Sequence, residues 1–123
     1  MANFAKTSID FSKARTELHD TLKLTGAEIS YNTLPAGVEI PFVHSHKENE
    51  EIYLFIEGDG KFYADGEIVE IKKGDALRVD PACARCIKAG TLGLSYFCVQ
   101  VKSGSLEHFT MSDGVISETK AQF

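Results

Sequence analysis

From about residue 26 onward the chain is written as short runs of alternating apolar and polar residues, broken by glycine-bearing turns. Ala27–Leu34, Pro41–His46, Glu51–Glu57, Lys61–Ala64, Ile68–Ile71, Ala76–Val79, Arg85–Lys88 and Leu94–Val101 read as strands. Gly58-Asp59-Gly60, Asp65-Gly66, Lys73-Gly74-Asp75 and Ala89-Gly90 stand between them as turns. Asp65-Gly66 is the sharpest of these signals, because a type I′ hairpin turn needs positive φ at both central residues. Closely spaced strands with no helical stretch between them cannot make the right-handed crossovers of a parallel sheet. They predict an all-β antiparallel sandwich or barrel over residues 26–102.

Residues 1–25 form a separate N-terminal segment, and 103–123 a tail that packs on the barrel or on a partner subunit. Within the first, Ser12–Leu22 offers a serine cap and Ala14, Leu18 and Leu22 at a spacing of four, which predicts a short helix. At 123 residues the whole is one domain. The acid excess, 18 Asp and Glu against 13 Lys and Arg, argues against a nucleic-acid partner, since phosphate-backbone binders are basic. No apolar run is long enough to span a membrane, and the N-terminus lacks the apolar core of a secretory signal. A cytoplasmic address is therefore expected, with Cys83, Cys86 and Cys98 as reduced thiols. Cys83 and Cys86 have the Cys-x-x-Cys spacing, but no helix start and no second such pair accompany them, so they read as small buried thiols. His19 and His108 read as surface residues.

Chemistry concentrates in Val43-His44-Ser45-His46 and in the run that begins at Glu51. Residues two apart on a strand share a face, so both imidazoles would leave it together. Two imidazoles and a carboxylate make a ligand set for a divalent transition metal, and imidazole alone does not choose among zinc, iron, nickel and copper. On an extended strand Glu51, Tyr53 and Phe55 share one face and Glu50, Ile52, Leu54 and Ile56 the other.

Gly37, six residues, His44-Ser45-His46, four residues, Glu51, six residues and Gly58 resemble the first motif of the cupin superfamily. The resemblance implies an antiparallel double-stranded β-helix, the cupin or jelly-roll barrel, in which His44, His46 and Glu51 hold one divalent metal, zinc, iron, nickel or manganese. The spacing to Gly58 selects Glu51 over Glu50. Ile52, Leu54 and Ile56 then face outward and need cover from another sheet or subunit, and the resemblance implies a homodimer.

The second cupin motif departs from its pattern. Laid on Gly74, it places Pro81 one residue late and Arg85 where the resemblance implies a fourth, histidine ligand. A guanidinium has only donors and cannot ligate a cation; a one-residue shift would place Cys86 there instead. With three protein ligands a metal keeps positions open for water or substrate. Arg85 beside it could orient an anionic molecule through paired hydrogen bonds, or form a salt bridge to Glu51 in a site without metal. Tyr53 and Phe55 read as core residues that could also line the pocket, and Phe62, Tyr63, Tyr96 and Phe97 as core.

The combined reading is a small metal-binding barrel that binds or acts on a small, anionic molecule. A metal-dependent isomerase or lyase and an Fe(II) dioxygenase both fit this ligand set. A non-catalytic binding or sensing module, or a metal-free structural dimer, would fit the same sequence.

Overall fold

The computed structural model describes residues 2–123. Strands β1 (Arg15–Glu17), β2 (Glu28–Leu34), β3 (Asn49–Ala64), β4 (Glu67–Lys72), β5 (Ala76–Val79) and β6 (Arg85–Lys102) join in one antiparallel sheet. The order across it is β1-β2-β6-β3-β4, and β5 lies beside the first half of β3, in line with β4 beside the second. A one-turn helix α1 (His19–Leu22) and a 3₁₀ turn at Thr110–Ser112 are the helical pieces.

The sheet curls into a barrel because its two central strands are long and bend together. What reads in sequence as a turn at Gly58-Asp59-Gly60 is a bend inside the continuous strand β3. Opposite it, the register with β6 jumps from Gly58↔Leu94 to Gly60↔Ala89, leaving residues 90–93 as an outward excursion. Asp59 Oδ1 accepts the Leu92 N–H at 3.1 Å and pins that excursion to the bend. Extra residues on one strand sharpen the local twist, which is how a sheet turns a corner. Gly58 sits at φ +84°, and a Cβ there would land on the Gly93 carbonyl. The Asp65-Gly66 turn behaves as expected, with φ of +48° and +90°.

Two other segments differ from the sequence reading. Arg15–Glu17 is not helical; it pairs with Ser30–Asn32 of β2. The open edge of β2 offers backbone partners that a solvated helical turn would not match, and only His19–Leu22 remains helical. Pro41–His46 is a loop stitched to β6 by a single bridge between His44 and Arg85.

Alternation along β3 sorts its side chains as expected. Glu51, Tyr53 and Phe55 are buried, while Ile52 and Ile56 are half-buried and Leu54 is exposed. The core gathers Tyr53, Phe55, Phe62, Tyr96, Ile87 and Leu94, among others. Tyr63 and Phe97 are only half-buried and stand outside it. The tail beyond Lys102 lies open to solvent, with Leu106, Phe109, Met111, Val115 and Ile116 uncovered in the single chain.

The corner predicts a contrast between two glycines. Gly58→Ala must adopt positive φ and displace backbone, costing about 2 kcal/mol or more. Gly26→Ala enters open space and should change stability by less than ~0.5 kcal/mol. Chemical denaturation of both variants measures the difference.

Candidate metal centre

Three elements converge on one end of the lumen. The His44 loop is held by reciprocal backbone bonds with Arg85 (His44 N–H to Arg85 O, 3.1 Å; Arg85 N–H to His44 O, 2.9 Å). The His46 N–H donates to Pro81 O at 2.8 Å. The two imidazoles stand 5.2 Å apart at 80° and face Glu51 on β3. One nitrogen from each histidine and a Glu51 oxygen lie within 4.8 Å of one another. His44 Nδ1 and His46 Nε2 are buried without a hydrogen-bond partner. His46 Nε2 is 3.2 Å from Glu51 Oε2, yet the pair lacks the alignment of a hydrogen bond. Buried polar atoms left unpaired are costly. A divalent cation satisfies such a set, so these residues fit a metal.

Glu51 is prepared on its other side. Oε1 accepts from the Tyr53 hydroxyl and from Arg85 Nη1, each at 2.6 Å, while the Cys98 thiol reaches Oε2 at 3.2 Å. Burial pushes the carboxyl pKa up, but the bonds from Tyr53, Arg85 and Cys98, with the nearby His46, outweigh it and hold the group below its usual 4.5. Burial also lowers His44 below its usual 6.5; Glu51 opposes that shift, and His46 and Arg85 reinforce it. The result is an ionised carboxylate and a neutral His44, the protonation states that ligation needs.

Arg85 is 1% exposed. Besides Glu51 it donates to the carbonyls of Cys83 (Nε, 3.0 Å), Asp80 (Nη2, 2.7 Å) and Pro81 (Nη2, 3.0 Å). Four of its five protons are therefore engaged inside the protein, and it ties the 80–85 loop to the carboxylate. The salt bridge to Glu51 is thus formed. Cys86 Sγ, by contrast, turns to the Ile40 carbonyl at 3.1 Å, and the cluster that could hold a metal comprises His44, His46 and Glu51. All three cysteines are free.

The cluster opens onto a cavity of about 380 Å³, within the range of small-molecule sites. Tyr53 and Arg85 line it, and Phe55 does not. One strand repeat further along, Phe55 is sealed in the core between Tyr53 and Tyr96, with ring centroids at 6.2 and 5.7 Å. The cavity is also lined by Arg15, Ser30, Asn32 and Gln100 on β1, β2 and β6, which the sequence reading did not single out. Ser30 and Asn32 are polar residues two apart on β2, a signal that this face looks into a lined space.

Residues 30–92 match the cupin domain family, and the chain belongs to the cupin superfamily as a small single-domain member. It is 52% identical to a cupin protein from Bacteroides fragilis whose crystal structure superposes with a TM-score of 0.91, covering 95% of this chain and 99% of that one. An uncharacterized protein of Methanocaldococcus jannaschii is 32% identical over 91 residues, 72% of each chain. A predicted oxalate decarboxylase from Thermotoga maritima is 29% identical, with a TM-score of 0.57 over 60% of this chain and 64% of that one.

Two predictions follow from the carboxylate's surroundings. Arg85→Gln leaves Glu51 charged and buried with three loop carbonyls unpaired, and should cost about 3–5 kcal/mol; Tyr53→Phe removes one charge-assisted bond and should cost about 1.5–3 kcal/mol. Urea titrations of the metal-free protein compare them. In acid, both His44 and Glu51 bind protons more readily unfolded than folded. Stability should therefore fall as pH drops below about 6.5, and fall again below about 4.5. Melting temperature of the metal-free chain between pH 8 and pH 4 checks the sign; His44→Gln should remove the first step.

Proposed function

We propose that this barrel holds one divalent metal through His44, His46 and Glu51 and uses it to bind and transform a small anionic molecule. The observation that carries the reading is a cluster of two imidazoles and an ionised carboxylate at the end of an open cavity, with a buried nitrogen of each imidazole left unpartnered. When bound, the metal supplies Lewis-acid polarisation of a carbonyl or hydroxyl oxygen or, as iron, activation of O₂. The first chemistry belongs to an isomerase or lyase and the second to a dioxygenase, so the metal's identity, among zinc, iron, nickel and manganese, separates them. The chain's own residues set the stage. Arg85 and Tyr53 occupy Glu51 Oε1 and leave Oε2 toward the histidines. Arg85 keeps one guanidinium proton for an anionic ligand, with Tyr53 as the wall beside it and Phe55 as packing behind it. Likeness to the Thermotoga maritima protein supports a small carboxylate as that ligand.

One observation favours a second reading, binding without turnover. Tyr53 and Cys98, two of the groups in contact with the carboxylate, are both raised by burial and both donate to Glu51, so neither is free to act as a base near neutral pH. A homodimer is supported by the uncovered outer face of β3, where Leu54 is 39% exposed, and by the apolar tail. Three free thiols support a cytoplasmic address.

Protein purified without a tag or chelator should carry about one equivalent of divalent metal by mass spectrometry, consistent with an unpaired three-ligand set. His46→Ala should lower metal affinity at least tenfold in calorimetry, since even residues that only support a ligand cost about that much. Wild-type protein that neither retains nor takes up any of the four metals would sink the proposal.

A further inference from the structure

We infer that the cavity has a second, oxyanion-binding wall built from Arg15, Ser30 and Asn32 on β1 and β2, with Gln100 between it and the metal cluster, which receives the far carboxylate or phosphate of a ligand whose other end meets that cluster. The inference deepens the proposed function by naming the ligand as a molecule with two functional ends.

Arg15 donates through Nε to Glu17 Oε1 at 3.2 Å and through Nη1 to Asn32 Oδ1 at 2.6 Å, which leaves three of its five protons uncommitted. Because a guanidinium only donates, the Asn32 amide must turn its oxygen to Arg15. Its nitrogen then points to Ser30 Oγ, 2.9 Å away. Ser30 Oγ is thereby used as an acceptor, and its own proton remains to donate. Gln100 Oε1 accepts from Asn49 Nδ2 at 3.3 Å, so its Nε2 protons are likewise uncommitted. Asn32 and Ser30 are 6% and 2% exposed. Together these groups offer donors and almost no acceptor, the complement of an oxyanion.

Position supports the same conclusion. All four residues line the cavity that His44, His46 and Glu51 open onto. Arg15 pairs with Asn32 across β1 and β2, Ser30 with Cys98 across β2 and β6, and Gln100 with Glu51 across β6 and β3. Arg15 thus stands three strand spacings across from Glu51, roughly 14 Å at ~4.8 Å each, and four residues further along, in line with Phe55. Arg15 lines the same cavity as Tyr96 and Cys98. The carboxylates near this wall are Glu17, which is exposed and already paired with Arg15, Glu28, which stands across from Gln100 and accepts the Leu18 and His19 N–H groups on Oε1, and Glu51, which is paired with Arg85.

The test uses 2-hydroxy acids that share one metal-binding head. Lactate has no second carboxylate; malate, 2-hydroxyglutarate and 2-hydroxyadipate carry one at the end of one, two or three methylenes. Each is titrated calorimetrically into the zinc-loaded protein. One member of the dicarboxylate series should bind at least tenfold more tightly than lactate. Arg15→Gln should abolish that preference while zinc affinity stays within twofold. Asn32→Asp, which ties the guanidinium down with a carboxylate of the same shape, should do the same without depending on the edge strand. A flat series, or a preference that survives both substitutions in folded protein, overturns the inference. Inorganic phosphate titrated into chelator-treated protein separates the two readings. Arg15-dependent phosphate binding without metal supports the oxyanion wall even if no metal is ever taken up, and its absence there as well as in the flat series counts against it.

Discussion

The buried ion pair between Arg85 and Glu51 is the contact on which the rest of this barrel turns. A carboxylate 3% exposed is tolerable only because its oxygens are occupied from three directions. The guanidinium does more than neutralise it. By gathering the carbonyls of Asp80, Pro81 and Cys83, Arg85 fixes the loop to which the His46 backbone is itself bonded. Ligand, loop and histidine segment are therefore positioned by one side chain. Its removal would loosen all three at once, which is why its cost is set against that of the single hydrogen bond from Tyr53.

A departure from the family pattern acquires a physical meaning here. The residue at the fourth-ligand place of the second motif is a cation, and a cation facing a metal would repel it. The structure resolves this by turning Arg85 onto the far oxygen of Glu51, where its charge is spent on the carboxylate and on backbone dipoles. The cluster that could hold a metal is left with three residues, His44, His46 and Glu51, and it opens onto the cavity.

Much of this was legible in the strand pattern. Alternation along residues 51–56 told inside from outside correctly, and Asp65-Gly66 announced its hairpin, because both signals are local. Three features were not local. The bend at Gly58 looks like a turn in sequence, and only the paired excursion at residues 90–93 shows that β3 runs through it. Arg15–Glu17 carries no apolar alternation of its own and is a strand because β2 had an open edge. Arg15, Ser30, Asn32 and Gln100 come from three strands far apart in the chain, and no motif links them. Phe55 shares a face with Glu51 but lies one repeat too deep to meet the cavity.

The alternation along β3 has a further consequence. Inner and outer rows on this strand are chemically opposite, an acid and two aromatics against three aliphatics. A slip of a single residue against β6 would carry Glu51 into solvent and bring Ile52 into the lumen beside two imidazoles. No such arrangement can hold a cation, so any ion coordinated through Glu51 favours one pairing of the central strands by mass action. A metal held by these residues would in that sense be a proofreader of the fold, stabilising the barrel only when its two longest strands have met in register.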